Sequence, residues 1–134
     1  MLQDSSSVRR RGWLGAILWA LLVVASIVLM AIGLWVSTFL GYLPVPGLEE
    51  DARVGSLYLL GGSAASLVAA TWSFLRGHPP WVTACVAAPA VLVGGIALVA
   101  PYSLLRHLVA AVALPGAMAG MIGGLLDRGY RRTK

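Results

Sequence analysis

Long stretches without Asp, Glu, Lys or Arg constrain the fold of this chain more than any other feature. Four such stretches occur in the 134 residues, at 12–48, 54–75, 77–105 and 107–126. They contain 37, 22, 29 and 20 residues. Each therefore reaches the roughly 20 residues with which a helix crosses about 30 Å of hydrocarbon. The pattern predicts a polytopic membrane protein.

The composition excludes several classes of protein. Apolar residues make up 59% of the chain and charged residues 11%, whereas soluble globular proteins have about 45–50% and about 25%. These values exclude a soluble enzyme and a disulfide scaffold, and the single cysteine, Cys85, has no partner for an internal disulfide. A net charge of +5 is typical of nucleic-acid-binding proteins. Here the basic residues stand at the ends of apolar stretches, so we expect no nucleic-acid partner.

Four transmembrane α-helices are predicted, at residues 13–40, 55–75, 81–100 and 105–126. Helices are required because the bilayer core offers no water to satisfy the backbone amides. Gly77 with Pro79 and Pro80 is typical of a tight turn between the second and third spans. The predicted fold class is all-α, with the four helices packed as an antiparallel bundle.

The basic residues predict how the helices are oriented. With both termini in the cytoplasm, the inner side carries eight of the ten basic residues: Arg9, Arg10, Arg11, Arg76, Arg128, Arg131, Arg132 and Lys134. Only Arg53 and Arg106 then lie outside. Because cytoplasmic loops are enriched in Lys and Arg, we expect cytoplasmic tails at residues 1–12 and 127–134. The first apolar stretch is too long for a cleavable signal peptide, so we expect it to remain as a span.

Ionisable residues are absent from the middle of every predicted span. Proton relays, coupled-ion sites and voltage sensors need such residues at depth. His78 and His107 are predicted at opposite ends of the membrane, where they are too far apart to share a metal. Serine without a neighbouring histidine or carboxylate is not a catalytic arrangement. The sequence therefore predicts no catalytic site, no metal and no cofactor.

An acidic cluster, Glu49, Glu50 and Asp51, precedes the second span. One interpretation is a divalent cation site, because carboxylate oxygens suit Ca²⁺ or Mg²⁺. The favoured interpretation is that these residues begin the second helix, where negative charge complements the helix dipole. A related hypothesis is an ion pair on the outer side between this cluster and Arg106.

Small residues recur every fourth position in the second and fourth spans. We name the two sets the α2 strip and the α4 strip, and they consist of Gly62, Ser66 and Ala70, and of Gly116, Gly120 and Gly124. Such strips let helix backbones approach closely, which drives helix association in lipid. They predict either a docking face for a second subunit or packing of the strips against each other inside one bundle. The second interpretation is favoured.

These features favour a structural or accessory subunit that acts through helix–helix packing and has no enzymatic activity. Its expected partners are membrane lipid and either further copies of the chain or a larger membrane protein. Nine Arg against one Lys, with abundant Ala and Gly, favours a bacterial cytoplasmic membrane as its location. The alternative is an oligomeric transporter or channel for a small neutral or apolar solute, formed around proline-kinked helices.

Overall fold

The computed structural model describes residues 2–39, 48–99 and 105–127, and all secondary structure within these ranges is helical. We number four helices, α1 (Leu2–Phe39), α2 (Leu48–Leu75), α3 (Pro80–Val99) and α4 (Leu105–Leu126). Each is long and apolar enough to cross a membrane, within Gly12–Ser37, Arg53–Leu75, Pro80–Val99 and His107–Leu126. The prediction of an all-helical chain with four potential spans is confirmed for this part of the chain.

Two helices begin earlier than the predicted spans. The first starts at Leu2 and the second at Leu48, whereas the spans were predicted to begin at residues 13 and 55. The charged residues that limit a span do not end a helix, since Arg and Glu are good helix formers in water. The 38 residues of α1 correspond to about 57 Å at 1.5 Å per residue. This helix therefore extends beyond the hydrocarbon thickness.

The first two helices pack antiparallel along most of their apolar length. The indole nitrogen of Trp19 donates to the carbonyl oxygen of Ala69 at 3.0 Å. Towards the other end of the interface, a Cβ added at Gly33 would lie 2.9 Å from the carbonyl oxygen of Gly55. Residues later in α1 therefore contact residues earlier in α2, so the two helices run in opposite directions.

The remaining helices complete the contacts around the core. Helix α3 packs against both α2 and α4, and α4 also contacts α1. The buried core residues form two clusters, one around Trp19 and Val86 and the other around Met30 and Val93. Large apolar side chains also cover the outside, which is the surface that a lipid-facing helix presents.

A tight turn joins α2 to α3. The amide of Gly77 donates to the carbonyl of Phe74 at 3.0 Å, and that of His78 donates to Ser73 at 3.2 Å. These two bonds form a Schellman motif, in which the residue after the helix takes a left-handed conformation. Gly77 has a φ of 71°, which glycine adopts without steric cost. Pro80, at the start of α3, follows two residues after His78.

Pro89 changes the helical geometry of α3. The helix consists of Pro80–Pro89, a π-helical segment at Ala90–Gly94 and a last turn at Gly95–Val99. Proline has no amide hydrogen and crowds the carbonyl four residues earlier, so the regular hydrogen-bond ladder is interrupted there. A wider, π-helical turn thus begins directly after this proline.

Candidate functional site

Serine hydroxyls link the helices across the bundle core. Ser26 in α1 donates to the carbonyl oxygen of Gly62 in α2 at 2.8 Å. Ser66 in α2 donates to the carbonyl oxygen of Val86 in α3 at 2.6 Å. Both serines are only 2% exposed. The two bonds therefore connect α2 to α1 and to α3. In lipid an interhelical hydrogen bond stabilises a bundle by about 0.6 kcal/mol.

Two further buried serines also have hydrogen-bond partners. Ser63 donates to the carbonyl oxygen of Leu59 within α2 at 2.8 Å. Ser73 accepts a hydrogen bond from the hydroxyl of Thr83 at 3.3 Å, which again joins α2 to α3. Among the described residues, the buried polar side chains are these four serines. Three of these four serines therefore take part in a hydrogen bond between helices, and Ser63 bonds within α2.

The α2 strip lies in the core, between α1 and α3. A Cβ added at Gly62 would lie 2.7 Å from Cγ of Met30 and 3.0 Å from the carbonyl oxygen of Ser26. Ser66 forms the hydrogen bond to α3, and Ala70 is 6% exposed. The strip thus lets α1 approach on one side and α3 on the other.

The α4 strip is divided between covered and open positions. A Cβ at Gly120 would lie 2.6 Å from Cβ of Cys85, and one at Gly124 would lie 2.9 Å from the ring of Trp19. No atom lies within 4 Å of a Cβ built at Gly116. Each of the two covered glycines therefore lies against a larger side chain.

A close approach of α1 and α2 also involves two glycines that the four-residue spacing does not mark. Gly33 and Gly55 face each other across α1 and α2, with the carbonyl oxygen of each within 3.2 Å of a Cβ built on the other. The signal that predicts this pair is a spacing of seven, which places Gly33 seven residues after Ser26 and Gly55 seven residues before Gly62. That spacing becomes visible only when the two helices are aligned in register.

A group of aromatic and basic side chains surrounds the α2–α3 turn. We call Trp19, Trp72, Arg76 and His78 the turn cluster. The imidazole of His78 stacks on the indole of Trp19, with centroids 5.1 Å apart and planes inclined by 16°. Its Nδ1 lies 3.2 Å from the carbonyl oxygen of Ser73. The loop histidine is thereby fixed against the end of the buried core.

Arg76 crosses from α2 to α1 within this cluster. Its Cζ lies 5.8 Å from the ring centroid of Trp72, within the range of a cation–π interaction. Nη1 lies 3.5 Å from the carbonyl oxygen of Gly12. The guanidinium also occupies the space that a side chain at Gly15 would fill. The arginine fits there because Gly15 has no side chain.

The predicted outer ion pair lies outside the described side chains. Those of Glu49, Asp51 and Arg106 are not among them, and the side chain of Glu50 is exposed. The three acidic residues occupy the first turn of α2, which begins at Leu48. The ion pair remains a prediction.

The described side chains include no group of three or more His, Cys, Asp or Glu that could hold a metal ion. Cys85 is a free, half-buried thiol. A shallow groove of about 300 Å³ lies between α1 and α2, and its lining is largely apolar: Leu29, Val54, Leu57, Tyr58 and Gly61. Its lining carries no carboxylate, imidazole, amine or thiol to act on a substrate.

Known proteins provide no further guide to the function. Neither protein-family models, nor curated proteins, nor solved structures give a match to the chain.

Proposed function

We propose that this protein is a structural or accessory subunit of a bacterial cytoplasmic membrane, built as an antiparallel four-helix bundle with both termini in the cytoplasm. The observation that supports the role is the chemistry of the core. Among the described residues, those of polar type that are buried are four serines, and each takes part in a hydrogen bond within the bundle. Serine hydroxyls bonded in this way stabilise a helix arrangement, and these four residues supply no general acid or base.

The packing around the π-helical segment disfavours a solute pathway through the monomer. Proline kinks and π-helical turns often accompany functional sites, and Pro89 is followed by such a turn. Here, however, a Cβ added at Gly94 would lie 2.6 Å from Oγ of Ser63. On the side of Gly94 the wider turn therefore packs against α2, which favours packing over transport.

The outer surface supports association within the membrane. Large apolar side chains are exposed on all four helices, including Leu21, Leu57, Leu98 and Val112. These side chains meet lipid or a partner's helices. An open glycine such as Gly116 additionally permits close backbone approach from outside the chain. The proposed partner is a second copy or a larger membrane protein.

Native mass spectrometry of the chain tests this role. The tagged protein is expressed at its natural level and extracted in a mild detergent. We expect a complex of fixed stoichiometry, heavier than the 14.0 kDa chain. A stable monomer, recovered alone from several mild detergents and from nanodiscs, would contradict the role of subunit. Solute uptake by liposomes containing only this protein would favour the transporter instead.

A further inference from the structure

The side chain of Arg76 is held in one orientation at the surface of the bundle. Trp72 lies beside it on the preceding turn of α2, and Gly12 and Gly15 of α1 receive its guanidinium. It is neither fully buried nor fully exposed. An arginine fixed in this way loses little further conformational entropy when it binds a ligand.

This arginine also lies at the boundary of the hydrocarbon region. The apolar span of α2 ends at Leu75, one residue before Arg76. Trp13 and Trp72 belong to the same end of the helix pair and are 62% and 41% exposed. Tryptophans are enriched at the level of the lipid headgroups. The guanidinium is therefore placed at the depth where phosphate groups of lipids reside.

We propose that Arg76, supported by Trp72, binds the phosphate of an anionic phospholipid headgroup. The planar guanidinium matches two phosphate oxygens, which gives a stronger and more directional contact than a lysine ammonium. This binding requires the membrane-spanning helices and is independent of the proposed partner.

Lipid binding is tested by native mass spectrometry of the detergent-purified chain. The protein is titrated with phosphatidylglycerol or with phosphatidylcholine. We expect tighter binding of phosphatidylglycerol, and an affinity for it at least about fivefold lower in Arg76→Gln. Arg53→Gln is the matched control, because Arg53 is an exposed arginine at the other end of the same span. Its affinity should remain that of the unmodified protein.

Arg76→Lys separates the shape of the guanidinium from its charge. We expect an intermediate affinity, since the charge is kept and the fork is lost. This variant also keeps the proposal testable if Arg76→Gln does not fold, as judged by circular dichroism. Equal affinities of the unmodified protein and Arg76→Lys would overturn binding through the fork. Unchanged binding in Arg76→Gln, or equal losses in Arg76→Gln and Arg53→Gln, would overturn a site at Arg76.

Inorganic phosphate distinguishes a lipid from a soluble ligand of the same chemistry. With a lipid headgroup as ligand, phosphate alone leaves the melting temperature of the delipidated protein unchanged. A rise in the unmodified protein that is absent in Arg76→Gln would instead identify a soluble phosphate compound and contradict the lipid assignment. If the chain stayed in solution without detergent, membrane insertion itself would be contradicted. If the affinity for phosphatidylglycerol did not depend on Arg76, only the site at Arg76 would be contradicted.

Discussion

Trp19 and Ala69 join α1 to α2 through a hydrogen bond of 3.0 Å from the indole nitrogen to the carbonyl oxygen. Seven residues further along α1, Ser26 donates to Gly62, which lies seven residues before Ala69. A further step of seven on each helix reaches Gly33 and Gly55, which face each other across the two helices. A seven-residue repeat is typical of helices that keep one face together over many turns. The two helices therefore hold one register across the span.

Gly62→Leu should destabilise the bundle, whereas Gly61→Leu should not. A larger side chain at Gly62 would overlap Met30 and the backbone of Ser26, while no atom lies within 4 Å of a Cβ at Gly61. Overpacking costs about 1–3 kcal/mol, and the change in helix propensity is the same at both positions. Thermal unfolding in one detergent measures the difference. Equal melting temperatures for the two variants would contradict the described orientation of α2, in which Gly62 faces α1 and Gly61 does not.

Gly120→Leu and Gly116→Leu provide the corresponding test for α4. The first substitution meets Cys85, and the second extends into open space. We expect a loss of about 1–3 kcal/mol in the free energy of unfolding for Gly120→Leu and little change for Gly116→Leu. Unfolding of the isolated chain is followed by circular dichroism. A greater loss at Gly116 than at Gly120 would show that α4 is rotated from the described orientation.

Ser66→Ala should lower the free energy of unfolding by about 0.6 kcal/mol, because it removes one interhelical hydrogen bond. Thr71→Ala is the control, since Thr71 is exposed and its hydroxyl donates to Leu67 within the same helix. The two variants are compared by equilibrium unfolding in mixed micelles. If Thr71→Ala lowered the free energy of unfolding as much as Ser66→Ala, the hydrogen bond to α3 would not account for the loss.

Gly77→Ala should destabilise the α2–α3 turn. At a φ of 71° an added Cβ is strained, and the left-handed conformation costs about 1–2 kcal/mol. Gly12→Ala is the matched change in a regular helix, where open space surrounds the added methyl; it should be neutral or slightly stabilising. Melting temperatures measure both effects. A neutral Gly77→Ala would exclude the left-handed turn.

Hydrophobicity and charge are sufficient to predict the four apolar helices, and the glycine and prolines at 77–80 are sufficient to predict the turn. Both follow from local rules, the length needed to cross lipid and the conformational freedom of glycine. The sequence does not show how far α1 continues, because charged residues end a span without ending a helix.

The partners of the small residues could not be predicted in the same way. A glycine strip marks a face that permits close approach, but it does not specify which helix approaches. Gly124 meets the ring of Trp19, and Gly15 receives the side chain of Arg76. Each of these contacts joins residues far apart in the chain, so it depends on the relative rotation of two helices. No local spacing contains that information.

Cysteine accessibility in intact cells tests the proposed membrane topology most directly. In a Cys85→Ser background, single cysteines replace Ser5, Glu50 and Thr133, and an impermeant thiol reagent is added outside. Four spans with both termini cytoplasmic predict labelling at position 50 in intact cells, and labelling at positions 5 and 133 only after permeabilisation. Labelling at position 5 in intact cells would contradict that arrangement.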